Sequence, residues 1–289
     1  MDSADRLALV DLRIAQLLGD RADPGAPTRG APVLGADRRA QLRQWPTSSV
    51  FSGEERAVLG FTEQFVINVA GVDDRLSAEL AAAVGPSGVL DLVVPLFVLD
   101  LGRRISMVLE RLFPEYPGVA RGAAPARDPK TGPATGMTVL DVFDQLSRSV
   151  ALLDALDPVT TELVRLRGAR QHNCRLCQST RSVRALDSGA DEAVFDSTER
   201  YESSELAEAQ KVALRLTDAV ITGPGSLAPT LVEQVHRWFA PDQVVELVMD
   251  VMRNSGQKIA VAMAADDPHV SSGFERFEIT ATGEVEYLA

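Results

Sequence analysis

The stretch LDPVTTELVRLRGARQHNCRLC spans residues 156–177 and ends in the only two cysteines of the 289-residue chain, Cys174 and Cys177. Side chains three positions apart lie on one face of a helix, and a structural disulfide seldom bridges so short a loop. A helix that begins at Cys174 would place this thiol at an electropositive end, which favours the thiolate. The stretch therefore predicts a redox-active thiol pair, in which Cys177 resolves the species that Cys174 attacks.

Two other interpretations of the cysteines are open. Both side chains could be small buried apolar groups, but their neighbours His172, Asn173 and Arg175 are polar. A structural zinc ion takes four ligands at close spacing, whereas His172 and the two thiols supply at most three. We expect neither a metal nor a cofactor.

Composition limits the classes of partner. The chain has 29 Lys and Arg against 41 Asp and Glu, a net charge of −12. Such an acidic surface argues against nucleic acid and against anionic membranes. No apolar run is long enough to span a bilayer, and the first 18 residues show helical periodicity with acidic side chains, unlike a signal peptide. We expect a cytoplasmic protein with reduced thiols.

The two halves of the chain are also similar in sequence. The segment EERAVLGFTEQF (54–65) is similar to AQKVALRLTDAV (209–220), and GPSGVLDLVV (85–94) to APDQVVELVM (240–249), each at an offset of 155 residues. Two further blocks, which begin at residues 8 and 101, match at an offset of 154. Four blocks in one order and at nearly one spacing predict a tandem duplication.

The first copy lacks the chemistry of the second. At the offset of 154 it has Ala8, Asp20 and Asp23 where the second copy has Glu162 and the two cysteines. Residues 21–41 are rich in Pro and Gly, which disfavours the helix expected after a Cys-x-x-Cys pair. The first copy is therefore predicted to be a structural partner of the second.

These patterns predict an all-α fold of two tandem helical domains. The predicted domains cover residues 1–113 and 137–267, joined by a Pro/Gly/Ala-rich linker at 114–136 and followed by a tail at 268–289. The tail is expected to form a short hairpin or strap, and no strand is predicted elsewhere. Helices are predicted at 4–18, 54–70, 74–84, 87–112, 138–153, 159–171, 174–187, 205–221, 227–239 and 242–264.

An all-helical duplicated unit with a glutamate twelve positions before a Cys-x-x-Cys pair resembles the alkylhydroperoxidase-D-like superfamily, which includes the carboxymuconolactone decarboxylase family. The resemblance covers most of the second half and, more faintly, the first. In redox-active members a histidine follows four residues after the second cysteine, and the glutamate and histidine form a proton relay. The resemblance implies that Cys177, beside Glu162, meets the peroxide while Cys174 is its partner in the disulfide.

The position of the relay histidine holds Arg181. Arginine accepts no proton at ordinary pH. On a continuous helix Arg181 shares a face with both cysteines, where it would stabilise a thiolate and could pair with Glu162. The alternative is a solvated charge on the helix surface.

Two more residues have alternative interpretations. His172, two positions before Cys174, is a candidate substitute base, or else a surface residue or one that bonds to the backbone. Glu162 could instead be a first-turn acid that complements a helix dipole, in a helix capped by Thr160 or Thr161.

Three functions are compatible with these features. The leading hypothesis is a thiol-dependent antioxidant or disulfide-exchange enzyme that reduces a small peroxide or disulfide and is recharged by a thiol reductant protein. The second is cofactor-free acid–base catalysis such as lactone decarboxylation, which relies on histidines that this chain scarcely has. The third is a catalytically degenerate scaffold or oligomerisation protein. The resemblance also implies a homo-oligomer.

Overall fold

The computed structural model of the protein describes residues 3–20, 35–116 and 138–288. Helices dominate these residues, so the predicted all-α fold class is confirmed. The α-helices are α1 Ser3–Leu18, α2 Ala36–Gln41, α3 Gly53–Asn68, α4 Asp74–Val84, α5 Pro86–Leu112, α6 Val139–Ala151, α7 Pro158–Gln171, α8 Arg175–Gln178, α9 Val183–Asp187, α10 Glu192–Asp196, α11 Glu208–Thr222, α12 Pro229–Trp238, α13 Pro241–Asn254 and α14 Lys258–Ala262.

The chain forms two compact units. The first contains the described residues up to Arg103 together with 258–263, and the second contains the described residues of 104–257 and 264–289. Helix α5 therefore contributes to both units, whereas the predicted domains change at residues 113 and 267. Most of the predicted linker, residues 117–136, lies outside the described residues, as does much of the Pro/Gly-rich stretch at 21–34.

The first unit is built around helices α1 and α3. Helix α3 begins with a capping box, in which the Ser52 hydroxyl accepts from the Glu55 N–H and the Glu55 carboxylate accepts from the Ser52 N–H. The apolar core includes Leu9, Phe51 and Leu59, which are almost fully buried.

In the second unit, helix α7 packs against α11 and α13. The Asp157 carboxylate caps α7 by accepting from the Thr160 N–H at 2.9 Å, and Pro158 occupies the first turn. The predicted cap at Thr160 or Thr161 is therefore wrong. Because the helix begins at Pro158, Glu162 lies in its second turn and not in its first.

The helix predicted at 242–264 is interrupted. Helix α13 ends at Asn254, a 3₁₀ turn covers Ser255–Gln257, and α14 follows. A Cβ at Gly256 would lie 2.7 Å from the Phe143 ring, so only glycine allows the turn to approach α6 this closely.

A small sheet replaces part of another predicted helix. Residues 174–187 were expected to be one helix, but α8 ends at Gln178 and strand β1 (Thr180–Ser182) precedes α9. The predicted hairpin in the tail is present as β2 (Glu275–Ile279) and β3 (Val285–Leu288). Strand β1 pairs with β2 in parallel, with Ser182 opposite Phe277. The tail is thus hydrogen-bonded to the segment that follows the cysteines.

Helix starts recur along the chain. Helices α3, α4 and α5 begin 155 residues before α11, α12 and α13 respectively. Helices α1 and α7 begin at the same separation. This regularity supports the predicted duplication, which remains a prediction.

Two apolar runs of the sequence, 89–101 and 244–252, lie in α5 and α13. Both are mostly buried, yet α13 also buries two acids, Glu246 and Asp250. Within the described residues no single helix is long and apolar enough to cross a bilayer, and α4 with α5 meets that criterion only as a pair bent by 105°.

Candidate active site

The end of helix α7 positions the first cysteine. Asn173 has a φ of 52°, in the left-handed region that asparagine tolerates better than most residues. Its N–H donates to the Arg170 carbonyl at 3.1 Å, and the Cys174 N–H donates to the Ala169 carbonyl at 2.9 Å. These bonds are a Schellman motif, which ends the helix and directs the chain into the Cys-x-x-Cys segment.

Cys174 is the N-cap of α8, as the sequence predicted. Its sulfur accepts from the Cys177 N–H at 3.3 Å. The next two N–H groups, of Arg175 and Leu176, donate to the side chain and the main chain of Asp266, at 2.8 and 2.9 Å. Asp266 was missed because it lies about 90 residues further along the chain.

The two cysteines are free thiols whose sulfur atoms lie 2.6 Å apart. Besides the bond from the Cys177 N–H, the two sulfur atoms are hydrogen-bonded to each other. This hydrogen bond is the main cause that lowers the pKa of Cys174, although burial and Asp266 oppose it. The same bond, together with burial and the Cys174 charge, raises the pKa of Cys177. Cys174 is therefore the more acidic of the two thiols.

An arginine that the sequence interpretation did not consider holds this segment in place. Arg165 donates to the Cys177 carbonyl at 2.9 Å and to the Thr180 carbonyl at 2.7 Å. Its guanidinium also lies 5.0 Å from the centre of the Phe277 ring. Arg165 thus links α7 to α8 and to strand β2, and its charge helps to lower the pKa of Cys174.

Glu162 is the partner of this arginine. The two side chains form a bidentate pair with both distances at 2.7 Å, and the Ser182 N–H donates to the same carboxylate at 3.1 Å. The Glu162 carboxylate is 2% exposed and does not line the thiol cavity. Glu162 therefore positions Arg165, and the spacing of the two residues by three on one helix was the signal available in the sequence.

Arg181 lies elsewhere. It is in strand β1, and its side chain donates to the Glu192 carboxylate at 2.8 Å and to two nearby carbonyls. The predicted helical face shared with the cysteines does not exist, because α8 ends three residues before Arg181. The predicted pairing with Glu162 is also wrong, since Arg165 fills that position.

His172 is brought to the thiols. It is buried at the C-cap of α7 and lies 3.0 Å from the Ser255 hydroxyl through Nε2. Since that hydroxyl donates to the Val251 carbonyl, Nε2 is the donor to the Ser255 oxygen. His172 is thus not a surface residue, and it lines the same cavity as the cysteines.

The cavity has a volume of about 140 Å³. Cys174 has no exposed surface, whereas Cys177 is partly exposed. The tail hairpin forms one wall through Phe277, Val285 and Tyr287. Only a small molecule fits beside the sulfurs.

The described residues were also compared with the ligand groups that metal sites require. Among residues 3–20, 35–116 and 138–288, no cluster of three or more His, Cys, Asp or Glu side chains is arranged to hold a metal ion. His236 bonds to the Leu112 carbonyl and His269 to Glu275, and neither histidine lines the thiol cavity.

Two proteins of Mycobacterium tuberculosis are similar to this chain, uncharacterized protein MT2376 and uncharacterized protein Rv2313c. Each is 38% identical over 239 residues, which cover 82% of this chain and 82% of the relative. No protein-family model and no solved structure matches the chain, so the alkylhydroperoxidase-D-like resemblance remains a prediction. The chain belongs to the same family as these two mycobacterial proteins.

Proposed function

We propose that the protein is a thiol-dependent oxidoreductase that reduces a small peroxide or a small disulfide through Cys174 and Cys177. The observation that carries this proposal is the pair of free thiols 2.6 Å apart at the base of a cavity. A disulfide bond is about 2.0 Å long, so the sulfurs need only a small approach to form one. The lowered pKa of Cys174 favours the thiolate that nucleophilic attack requires.

With a peroxide, the Cys174 thiolate attacks one oxygen, the O–O bond breaks, and the released alkoxide takes a proton. Cys174 becomes a sulfenic acid. The Cys177 sulfur then attacks this sulfenic sulfur and water leaves, so two thiols and one peroxide give one disulfide, one alcohol and one water. The resemblance assigns the first attack to Cys177, which is also the partly exposed thiol, whereas the lowered pKa favours Cys174.

The cycle closes when a dithiol reductant, which we infer to be a small thiol or a thiol reductant protein, returns two electrons. It needs no cofactor, and it needs a compartment that keeps thiols reduced, such as the cytoplasm. Assembly into a homo-oligomer is a further expectation of the resemblance.

Thiol counting tests the proposal. One equivalent of hydrogen peroxide should remove both free thiols of the wild-type protein. Cys177→Ser should stop at a sulfenic acid on Cys174 that dimedone traps, and Cys174→Ser should react far more slowly. If peroxide consumption is insensitive to both substitutions, or if the thiols survive peroxide, the scaffold or acid–base hypothesis replaces this one.

A further inference from the structure

A second cavity adjoins the thiol cavity and shares lining residues with it. It has a volume of about 60 Å³, and Asp250 lines it. Both cavities are lined by Arg165 and Arg253. The two arginines differ in their partners, because Arg165 is neutralised by Glu162.

The hydrogen bonds that the structure gives Arg253 go to neutral groups. Its Nε donates to the Ser147 carbonyl at 3.1 Å, and its Nη1 lies 3.3 Å from the Asn254 side-chain oxygen. It makes no ion pair with any residue in the described parts of the chain. Burial lowers its pKa, yet a guanidinium stays protonated at ordinary pH. A cation without a paired anion therefore lines the cavity that holds the thiols.

Asp250, three positions before Arg253 on α13, makes no ion pair with it among the described residues. Asp250 is 4% exposed, and its Oδ2 atom has no hydrogen-bond partner among the described residues. Burial, and then repulsion from Glu246, raise the pKa of Asp250 to about 7, and attraction to Arg253 opposes them in part. Below that pH the side chain is mostly uncharged. The charged side chains around it are Glu246 and Arg253 on α13, Glu162 and Arg165 on α7, and Arg184 on α9.

We propose that Arg253 binds a carboxylate of the substrate within the thiol cavity. The proposal rests on the proposed function and names its substrate class, a small peroxide or disulfide that carries an acidic group. A guanidinium matches a carboxylate with two parallel hydrogen bonds. In a protein of net charge −12, a guanidinium without an ion-pair partner among the described residues gives an anion a local attraction.

The state of Asp250 should modulate this binding. When Asp250 loses its proton, its carboxylate competes with the substrate for Arg253. Preference for an anionic substrate should therefore fall as the pH rises through about 7. Asp250→Asn should remove this dependence, because the amide stays neutral.

Two alkylating reagents of nearly equal size test whether Arg253 binds a carboxylate. Iodoacetate carries a carboxylate and iodoacetamide a neutral amide, and with each a C–S bond forms as the C–I bond breaks and iodide leaves. The rate ratio of the two reagents at Cys174 is measured by mass spectrometry on the reduced full chain and divided by the ratio for N-acetylcysteine. Changes in thiolate content affect both reagents alike, so they cancel.

The wild-type protein should favour iodoacetate by about tenfold, the effect of one charge-assisted hydrogen bond. Arg253→Gln should abolish this preference, and Arg253→Lys should keep part of it. Arg184→Gln is the matched control, because Arg184 is exposed and lines only the second cavity; it should keep the preference. Between about pH 6 and about pH 8 the wild-type preference should fall severalfold while that of Asp250→Asn stays level.

A wild-type rate ratio equal to that of N-acetylcysteine would contradict carboxylate binding by Arg253. A preference for iodoacetate that is unchanged in Arg253→Gln would contradict it as well. In either case the thiol chemistry would stand, because thiol loss to hydrogen peroxide is measured separately on the same protein. A failure of that peroxide reaction would instead remove the proposed function and, with it, this inference.

Discussion

Helices α1 and α7 end in the same way but deliver different chemistry. Gly19 and Asn173 both adopt left-handed backbone angles, with φ of 68° and 52°. The next residue in each case, Asp20 or Cys174, donates its N–H to the carbonyl of an alanine five positions earlier, at 3.0 and 2.9 Å. One backbone turn thus presents a carboxylate in the first unit and a thiol in the second.

The side chains then find different partners. Asp20 accepts from Arg103 at 2.6 Å, and Arg103 also pairs with Asp11 at 2.7 Å. Cys174 has a second thiol as its neighbour and a cavity beside it. The turn is therefore a general device for ending a helix, and reactivity depends on which residue follows it.

The largest difference is expected between the ion pairs of Arg165 and those of Arg103, measured as the unfolding free energy lost when each arginine is replaced. Arg165→Met should cost about 3–5 kcal/mol, because it leaves Glu162 buried without its partner. Arg103→Met should cost about 1–2 kcal/mol, since its side chain is 20% exposed and its acids are partly solvated. Chemical unfolding measures both, and the double variant Glu162→Gln with Arg165→Met should recover part of the loss. Equal losses at the two arginines would contradict the contrast.

At the offset of 154, Leu18 stands where the second unit has His172. Copying the first unit with His172→Leu should slow the peroxide reaction by about 10²-fold, because it removes a base from the cavity wall. The comparison variant is Arg181→His, which copies the histidine of the redox-active motif. We expect no gain from it, because Arg181 does not line the cavity. A gain in stopped-flow peroxide consumption would restore the relay interpretation.

The acid in α13 should make stability depend on pH. Asp250 has a pKa of about 7 in the folded chain, against about 3.9 when unfolded. The folded state then binds more protons between these values, so stability falls as pH rises through this window and is level above it. Relative to Asp250→Asn, the wild-type protein should lose roughly 2–4 kcal/mol across the window.

Asp91 is the matched control for Asp250, as an exposed acid on α5 that aligns with Glu246 at the offset of 155. Asp91→Asn should change the unfolding free energy by less than about 0.5 kcal/mol at every pH. For each variant, the difference in unfolding free energy from the wild type is followed against pH. A difference for Asp250→Asn that is as flat as that for Asp91→Asn would show that the pKa of Asp250 is not raised in the folded chain.

The shared turn itself should give the smallest effects. Asn173→Val should cost about 1–2 kcal/mol, because a β-branched side chain is strained at positive φ. Asn173→Gly should change stability by no more than a few tenths of a kcal/mol. Gly19→Asn should be similarly mild, since a Cβ there meets no atom within 4 Å. Thermal unfolding separates these outcomes, and tolerance of valine would show that the turn is not specified by the backbone.

Local patterns predicted the helices well. Helix α4 was predicted with its observed bounds at 74–84, and α7 began one residue earlier than expected. Periodicity and the proline and aspartate signals at helix starts are short-range features, so a single sequence contains them. The position of Cys174 at the start of a helix belongs to the same class of signal.

Long-range pairings explain the misses. Strand β1 has three residues and forms only because β2, more than ninety positions later, pairs with it. The helix predicted at 174–187 takes no account of that partner. It therefore places Arg181 on a helical face with the cysteines and not in a strand. Asp266 and the buried acid of α13 were missed for a related reason, because no local pattern shows which distant element will cover a side chain.

The parallel pairing of β1 with β2 also sets the order in which the site can be completed. The ribosome makes the chain from its N-terminus at about 5–20 residues per second, so the hairpin follows the cysteines by roughly 5–20 s. During that interval α7 and the Cys-x-x-Cys turn can form, but the wall supplied by Phe277 and Tyr287 has not been synthesised. Both thiols then lack the wall that the hairpin provides, and the cavity is complete only after β2 has paired with β1.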